Sequence, residues 1–376
     1  MLKFNCMENN RINTFHGPKF IFFGRGAAGK IPQGIAVVSP SVYKNFKALL
    51  VKIDSNPVLF ARRGALREPG EGDVLTLAGI LRKKIKTAPS LPVVAVGGGS
   101  VIDAVKIAVR IASSDGLTFE KIYNDGIPRP PKNSPYLIAV ETTAGTGTGV
   151  TGVAVVTKKD NVKRGIASPY LIPDEAYYDP DFIDVLPNDI FASSAMDALT
   201  HAIEAYVSRI ENIPADTMAL KAAEMIGNNI IAGYKGVLSA RELVHYGNMM
   251  AGYAFSNARL GLCHALAHLI GGRFGVSHGR INAILLPDVI EHNIEAAEKY
   301  DRIAFSLGIS VGGLAKHIRC LNTELGIANS LSFLGEKFKS MINTIAEEAS
   351  VSSLMKVNPC RLAPAEIAEM LSRLYG

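Results

Sequence analysis

The 376-residue chain has no tryptophan and only four cysteines. Cys6, Cys263, Cys320 and Cys360 lie far apart with no CxxC spacing. This argues against a disulfide framework and a thiolate zinc site, and fits a reducing cytoplasm. Long apolar runs are missing too. No stretch approaches the ~18 to 20 uninterrupted apolar residues of a membrane helix, and the opening MLKFNCMENNRINTF has no apolar signal core. A soluble protein without a membrane partner is therefore expected. Nor is charge concentrated anywhere. The formal net charge is +6 and aromatic residues are only 7%, but lysine and arginine are spread through the chain without a basic block. That disfavours nucleic acid as a partner and reads as a solvated surface, with a smaller part available to an anionic substrate or a cofactor phosphate. Repeats and low-complexity tracts are absent. What remains is an ordinary globular composition, 48% hydrophobic and 20% charged, long enough for two cores.

In the first half strands and helices alternate. Residues 19–23 (KFIFF), 34–39 (GIAVVS) and 57–61 read as strands, with AAGKIP between the first two as a short helical turn or loop. Residues 42–53 and 74–86 read as helices, and 64–73, rich in glycine, proline and charge, as a surface loop. Residues 92–96 (PVVAV) form the continuous apolar run of a buried parallel strand, leading into Gly97, Gly98, Gly99 and Ser100 and then a helix over 101–113. A strand, a glycine-rich turn and a helix N-terminus together offer backbone N–H groups and a positive dipole end to a pyrophosphate. Asp103, in the first turn, is placed to accept from a cofactor hydroxyl or amide, or simply favours the dipole. The motif is not the GxGxxG fingerprint of an orthodox Rossmann unit.

The pattern repeats downstream. Residues 135–140 (PYLIAV) deliver a second buried strand into a loop, 141–149, containing Thr142, Thr143 and Thr146. Hydroxyls and flexible backbone at a strand end suit a cofactor site, since open α/β sheets bind ligands there. Residues 153–157 read as another strand, and Lys163 follows as a candidate ribose or phosphate contact. From Pro187 the texture becomes helical: 188–208, 214–234, 240–257, 261–271 and 281–297, with amphipathic segments to the end. The expected fold is thus an α/β dinucleotide-binding domain with a Rossmann-like parallel sheet over 1–186, followed by an all-helical metal-binding domain over 187–376.

Histidine supplies the chemistry. Of eight histidines, three fall in GLCHALAHLIGGRFGVSHGRIN: His264, His268 and His278. His264 and His268 are four apart and share a helix face. Gly271 and Gly272 are expected to end that helix, and Gly279 to let the backbone approach something closely, a metal being the natural partner. Upstream, Asp197 and His201 are also four apart in an alanine-rich helical run. Two such pairs on facing helices make a cage of Asp197, His201, His264 and His278, with His268 nearby. Imidazole nitrogens and a carboxylate suit a borderline divalent ion such as Fe²⁺ or Zn²⁺.

These pieces, in this order and spacing, resemble the iron-dependent (group III) alcohol dehydrogenases and, more broadly, the dehydroquinate synthase-like fold, over essentially the whole chain. The matching stretches are GGGSVID (97–103), TTAGTG (142–147), DALTHAIE (197–204) and CHALAH (263–268) with His278 and Gly279. The resemblance implies Fe²⁺, sometimes Zn²⁺, on Asp197, His201, His264 and His278, and His268 as a proton-transfer group near the nicotinamide. It assigns the cofactor diphosphate and nicotinamide end to the glycine turn and threonine loop, and a cofactor contact to Lys163. The implied reaction is hydride transfer between nicotinamide C4 and an alcohol or carbonyl carbon whose oxygen the cation polarises. The substrate is then a small alcohol or aldehyde, and the assembly a homodimer or larger.

The chain also departs from the family pattern. Ser39, Pro40 and Ser41 stand where many members carry an acid that binds the adenosine 2′-hydroxyl, so NADP(H) is expected to serve at least as well as NAD(H). Thr148 and Gly149 replace the more usual Ser-Glu. Arg259, Arg273 and Arg280 flank the histidine stretch, and one of them could meet an anionic substrate group, against the plainer reading of a surface or interdomain salt bridge. Two further readings stand beside the dehydrogenase: a dehydroquinate synthase-like lyase that uses NAD transiently, and a metallohydrolase.

Overall fold

The computed structural model describes residues 14–61, 69–158 and 163–376. Six strands, β1 (Phe20–Phe23), β2 (Ile35–Val38), β3 (Val58–Leu59), β4 (Val93–Gly97), β5 (Leu137–Glu141) and β8 (Glu175–Tyr178), form one parallel sheet. Its order is β1-β8-β5-β4-β2-β3. β2, β4 and β5 are buried at every position, as in a sheet covered on both faces. Alternate side chains divide between two cores. Val93, Ala95, Leu137 and Ala139 pack on one face with helices α2 (Glu71–Thr87) and α3 (Gly99–Ser113). Val94, Val96, Ile138 and Val140 pack on the other with α1 (Pro40–Ile53) and Phe182.

After β3 forms on one side of β2, the chain crosses over and lays β4 on the other side. That reversal opens a crevice at the carboxyl ends of β2 and β4, where ligands of open α/β sheets bind. Ser39 and Gly97 leave the sheet together there, the Ser39 N–H donating to the Val96 carbonyl at 3.3 Å.

After the short α4 (Phe119–Asp125) and α5 (Asp181–Asp184), the chain from residue 188 is helical. Helices α6 (Asn188–Val207), α7 (Ile213–Tyr234), α8 (Leu238–Ala258), α9 (Leu262–Phe274) and α10 (His278–His292) share one core with α11 (Ala297–Ser306), α12 (Leu314–Glu324), α13 (Gly335–Ser350) and α14 (Pro364–Tyr375). Buried alanines, including Ala195, Ala198 and Ala202 on α6, Ala219 and Ala222 on α7 and Ala251 on α8, let these three helices approach closely. Val150, Ala176, Tyr178 and Tyr253 form a small cluster joining β8 to α8.

Several expectations need correction. The strand over 57–61 shrinks to Val58–Leu59, because it is an edge strand paired only with β2. The strand over 153–157 is β6 (Val153–Thr157), but it stands outside the main sheet in an antiparallel pair with β7 (Lys163–Ala167). Glu71, Gly72 and Asp73 open α2 instead of closing the loop, whose residues 64–68 lie outside the described ones. Gly271 and Gly272 do not end α9, which runs to Phe274 and stops at Gly275, with φ 67°. α10 begins at His278 itself, not at residue 281. The opening segment with Cys6 lies outside the described residues, and Cys263, Cys320 and Cys360 are free thiols. Among the described residues no helix is long and apolar enough to cross a membrane.

One buried cation ties the turn before α6 to the ends of α5, α7 and α8. Arg241 donates to the carbonyls of Gly233, Ile183, Asp184 and Leu186 and to Asn188 Oδ1, at 2.6 to 3.1 Å, and lies 4.8 Å over the Phe191 ring. Replacing it removes five hydrogen bonds at once, although the Gly236 and Leu186 N–H groups still reach the Gly233 and Ile183 carbonyls. Arg241→Leu is expected to lower unfolding free energy by about 3 kcal/mol or more, read as an earlier urea midpoint; a midpoint equal to the parent's would contradict this role.

Candidate active site

The glycine-rich turn and the threonine loop form one surface. A Cβ at Gly98 would lie 2.7 Å from Thr143 Cγ2, and one at Gly99 2.7 Å from Thr146 Cγ2, so only glycine permits this contact. Thr142 is buried and donates its N–H to the Gly97 carbonyl at 3.2 Å. The N-cap of α3 is Gly98, which has no side chain to cap the first turn, and Ser100 sits part-buried in that turn. A positive dipole end therefore faces the crevice.

The loop is held from beneath. The Lys106 ammonium, fully buried, donates to the carbonyls of Thr148, Thr151 and Val153 and to both threonine hydroxyls, at 2.6 to 3.2 Å. Burial pulls it down to about 8 against the opposing pull of Asp103 and Glu141. Glu141, also fully buried, accepts from Thr143 Oγ1 and the Gly149 N–H, and burial raises it to about 7. Asp103 belongs to this layer: its two oxygens accept from Thr148 Oγ1 at 2.5 Å and the Val155 N–H at 2.9 Å. The structure thus gives Asp103 a role in bracing the loop, in addition to the cofactor contact expected of it from the sequence.

Asp197 and His201 lie one turn apart on α6, and His264 comes from α9. One donor atom from each of the three lies within 4.8 Å of the others, and all three residues are buried. His201 stacks on His264 at 4.5 Å between ring centroids and on Phe255 at 4.3 Å. His278 stands beside this trio and is less enclosed, its side chain 20% exposed, with Nε2 3.8 Å from Asp197 Oδ1 and its ring 5.1 Å from His264. Its position depends on Gly279, where a Cβ would fall 1.9 Å from the Ser193 carbonyl. What that glycine admits is the backbone of α6, not a metal. His268, half-buried, stacks on His278 at 4.9 Å and lies 6.2 Å from His264.

Lys163 reaches the same place from β7. Its side chain lies along Gly271 and Gly272, 3.6 Å from a Cβ at the first and 3.7 Å from one at the second. These glycines, three and four residues past His268, lie inside a continuing helix in van der Waals reach of this lysine. Of the flanking arginines, Arg273 pairs with Glu348 at 2.6 Å, Arg280 is exposed over the Phe333 ring, and Arg259 is exposed at the α8–α9 junction with φ 71°.

Second contacts fix the ring orientations. His201 Nδ1 lies 3.1 Å from the Gly145 carbonyl, and an acceptor there places the proton on Nδ1 and leaves the Nε2 lone pair open. Gly145 can reach α6 because a Cβ would sit 2.7 Å from Ser194 Cβ. His264 Nδ1 meets Glu204 Oε2 at 2.5 Å, with the same consequence for its Nε2. Glu204 also accepts from the Cys263 N–H at 2.8 Å and the His264 N–H at 3.3 Å; burial still raises its carboxyl to about 7. Burial lowers His264 to about 3 and holds His201 well below the ordinary histidine value, and burial with the neighbouring His268, His264 and Lys163 does the same for His278, which favours the neutral imidazole in each. One carboxylate with three neutral imidazoles is a donor set that fits a borderline divalent ion, and a buried carboxylate behind a ligating histidine is its usual support. Glu204 closes the DALTHAIE stretch but was given no role from the sequence, although its position seven residues after Asp197 puts it on the same helix face.

Comparison with known proteins gives the same picture. Residues 18–180 match the family described as iron-containing alcohol dehydrogenase, and residues 191–375 match the Fe-containing alcohol dehydrogenase family, C-terminal. The NADPH-dependent butanol dehydrogenase of Clostridium saccharobutylicum is 35% identical over 75% of this chain and 76% of its own length. The iron-containing alcohol dehydrogenase structure from Thermococcus thioreducens aligns with TM-score 0.84 at 30% identity, covering 96% of this chain and 99% of that one. The sulfoacetaldehyde reductase of Bifidobacterium kashiwanohense, solved with NAD⁺, aligns with TM-score 0.85 at 25% identity, covering 97% and 99%.

Glu204→Gln replaces the acceptor behind His264 with an amide that can turn an N–H toward it and reverse the imidazole tautomer. Divalent-metal affinity is expected to fall roughly 10- to 100-fold, measured by competition with a chromogenic chelator. Unchanged affinity in a folded variant would show that Glu204 does not orient this imidazole.

Proposed function

Since the chain belongs to the iron-containing alcohol dehydrogenase family, we propose that it interconverts small alcohols and their carbonyl compounds in the crevice between the glycine turn and the histidine cluster. The observation that carries this reading is the contact of His201 Nδ1 with the Gly145 carbonyl, which brings the threonine loop of the cofactor side within one hydrogen bond of a ligand-type imidazole. In this reading Asp197, His201, His264 and His278 hold a divalent cation, iron or alternatively zinc, which supplies Lewis-acid polarisation of the substrate oxygen. The remaining work falls to the protein. Gly97, Gly98, Gly99 and Ser100 bind the cofactor diphosphate at the α3 N-terminus, while Thr142, Thr143 and Thr146 shape the pocket for its nicotinamide end. Lys163 contacts the cofactor from β7. His268 moves a proton at its imidazole nitrogen between the substrate side and solvent. Phe255, packed on His201, keeps water from that imidazole face and strengthens the electrostatics around it. The division of labour falls near residue 187, dinucleotide-binding before it and cation-binding after.

Coenzyme choice follows from the β2 terminus. Ser39 Oγ accepts from the Val42 N–H at 3.3 Å, Pro40 opens α1, and Ser41 Oγ lies 3.4 Å from Ser39 Oγ. Hydroxyls at a helix N-terminus, with no acid among Ser39, Pro40 and Ser41, favour a 2′-phosphate, so NADP(H) is the expected coenzyme. With Arg273 paired to Glu348, Arg259 and Arg280 are the arginines left to meet an anionic substrate group. Free cysteines support a cytoplasmic setting. The exposed Phe20 and Phe23 on edge strand β1 support self-association into a dimer or larger assembly.

A panel of neutral and anionic aldehydes assayed for nicotinamide oxidation tests the reaction class: net loss of the reduced-nicotinamide absorbance is expected only with divalent metal present. A lyase using the nucleotide transiently would give no net change, and a metallohydrolase would not need it. In the same assay kcat/KM with NADPH is expected to equal or exceed that with NADH, and Ser39→Asp to cut the NADPH value by about tenfold or more through like-charge repulsion. A strong NADH preference in the parent would refute the coenzyme assignment.

A further inference from the structure

We propose that Asn282 is a positioning residue for the cation cage, its amide directing the Asp197 carboxylate and, before an ion arrives, bridging it to the His264 imidazole. Asn282 follows His278 by four residues on α10 and is fully buried. It therefore faces the cluster from the same side of the helix as His278. Its Nδ2 lies 2.7 Å from Asp197 Oδ1 on α6 and 3.1 Å from His264 Nε2 on α9. With its two N–H bonds, a side-chain amide can donate to both at once; the His264 Nε2 lone pair is the one an ion would take, so with an ion bound the contact that persists is the one to Asp197 Oδ1.

Chemistry fixes which way the amide points. Glu204 on Nδ1 makes His264 Nε2 an acceptor, and a carboxylate oxygen is an acceptor too. Turned around, Asn282 would set its own oxygen against both lone pairs in a buried site. As oriented, that oxygen lies 3.6 Å from Cys263 Sγ, whose thiol points toward it and toward the Asn282 backbone carbonyl at 3.4 Å. Every polar group of the side chain has a complementary neighbour.

An amide also suits the task better than a cationic donor. Lysine or arginine in this place would bridge the same two acceptors but would repel a divalent ion beside them. Asparagine supplies donors without net charge, so it orients the Asp197 carboxylate and leaves the attraction for the ion intact. The cage thus draws support on two sides: Glu204 behind His264, and Asn282 beside Asp197.

This inference rests on the cation site proposed above, and the test separates the two. Chelator-treated parent, Asn282→Leu and Asn282→Ala are titrated with Zn²⁺ against a chromogenic chelator and with Co²⁺ while its d–d absorption is recorded; the metal-free melting temperature of each is measured alongside. Leu approximates the asparagine in bulk, and Ala covers the case in which Leu does not fold. The parent is expected to bind one ion per chain. The variants should bind Zn²⁺ about 10- to 100-fold more weakly and show an altered Co²⁺ band as Asp197 loses its fixed direction, while still melting cooperatively without metal. A parent that binds no ion would remove the cation site and this inference with it. A parent that binds, with folded variants matching it in affinity and Co²⁺ spectrum, would overturn the role of Asn282 alone.

Discussion

One hydrogen bond, from His201 Nδ1 to the Gly145 carbonyl, is the joint on which the site depends. It fixes the tautomer of an imidazole on α6 and ties that helix to the loop leaving β5. Neither partner could be elsewhere, because Gly145 has no room for a side chain against Ser194. Through Gly98 and Gly99, which seat Thr143 and Thr146, the same loop continues into the α3 N-terminus. Glycine turn, threonine loop, His201 and the other cluster residues therefore form a continuous chain of contacts, each too close to permit a larger residue or a different tautomer.

A loop that positions chemistry has to be rigid, and this one rests on buried charge. A fully buried ammonium is costly unless its donors are satisfied, and Lys106 meets five oxygens, with Asp103 and Glu141 supplying opposing charge nearby. Such a network adds little net stability compared with an apolar core, but it admits few alternative arrangements. The consequence is a preorganised loop, so little free energy is lost in ordering it when ligand arrives.

The α/β half was legible because buried parallel strands have an unmistakable composition: VVAVG and LIAVE are apolar on both faces, and each delivers a glycine or threonine turn. The cluster was legible because Asp197–His201 and His264–His268 repeat at helical spacing. What could not be read was who fills the space beside a glycine. Gly271 and Gly272 looked like a helix stop but lie inside α9 beside Lys163, and Gly279 admits the Ser193 carbonyl. Both partners are remote in sequence, and no local propensity encodes them. Supporting residues were hidden for another reason. Glu204 and Asn282 are ordinary polar residues until their spacing from Asp197 and His278 is considered, and the burial of Lys106 and Asp103 is a property of packing alone. β6 was recognised as a strand, but its pairing with β7 outside the main sheet is a tertiary outcome.

The most direct measurement of the central claim is anomalous diffraction at the iron or zinc edge from crystals grown with metal and a nicotinamide cofactor. The account predicts a single strong peak about 2.0 to 2.2 Å from an oxygen of Asp197 and a nitrogen each of His201, His264 and His278, with the cofactor diphosphate over Gly97–Ser100 and its nicotinamide on the side of the peak. A peak elsewhere, or a cofactor bound away from the glycine turn, would contradict it.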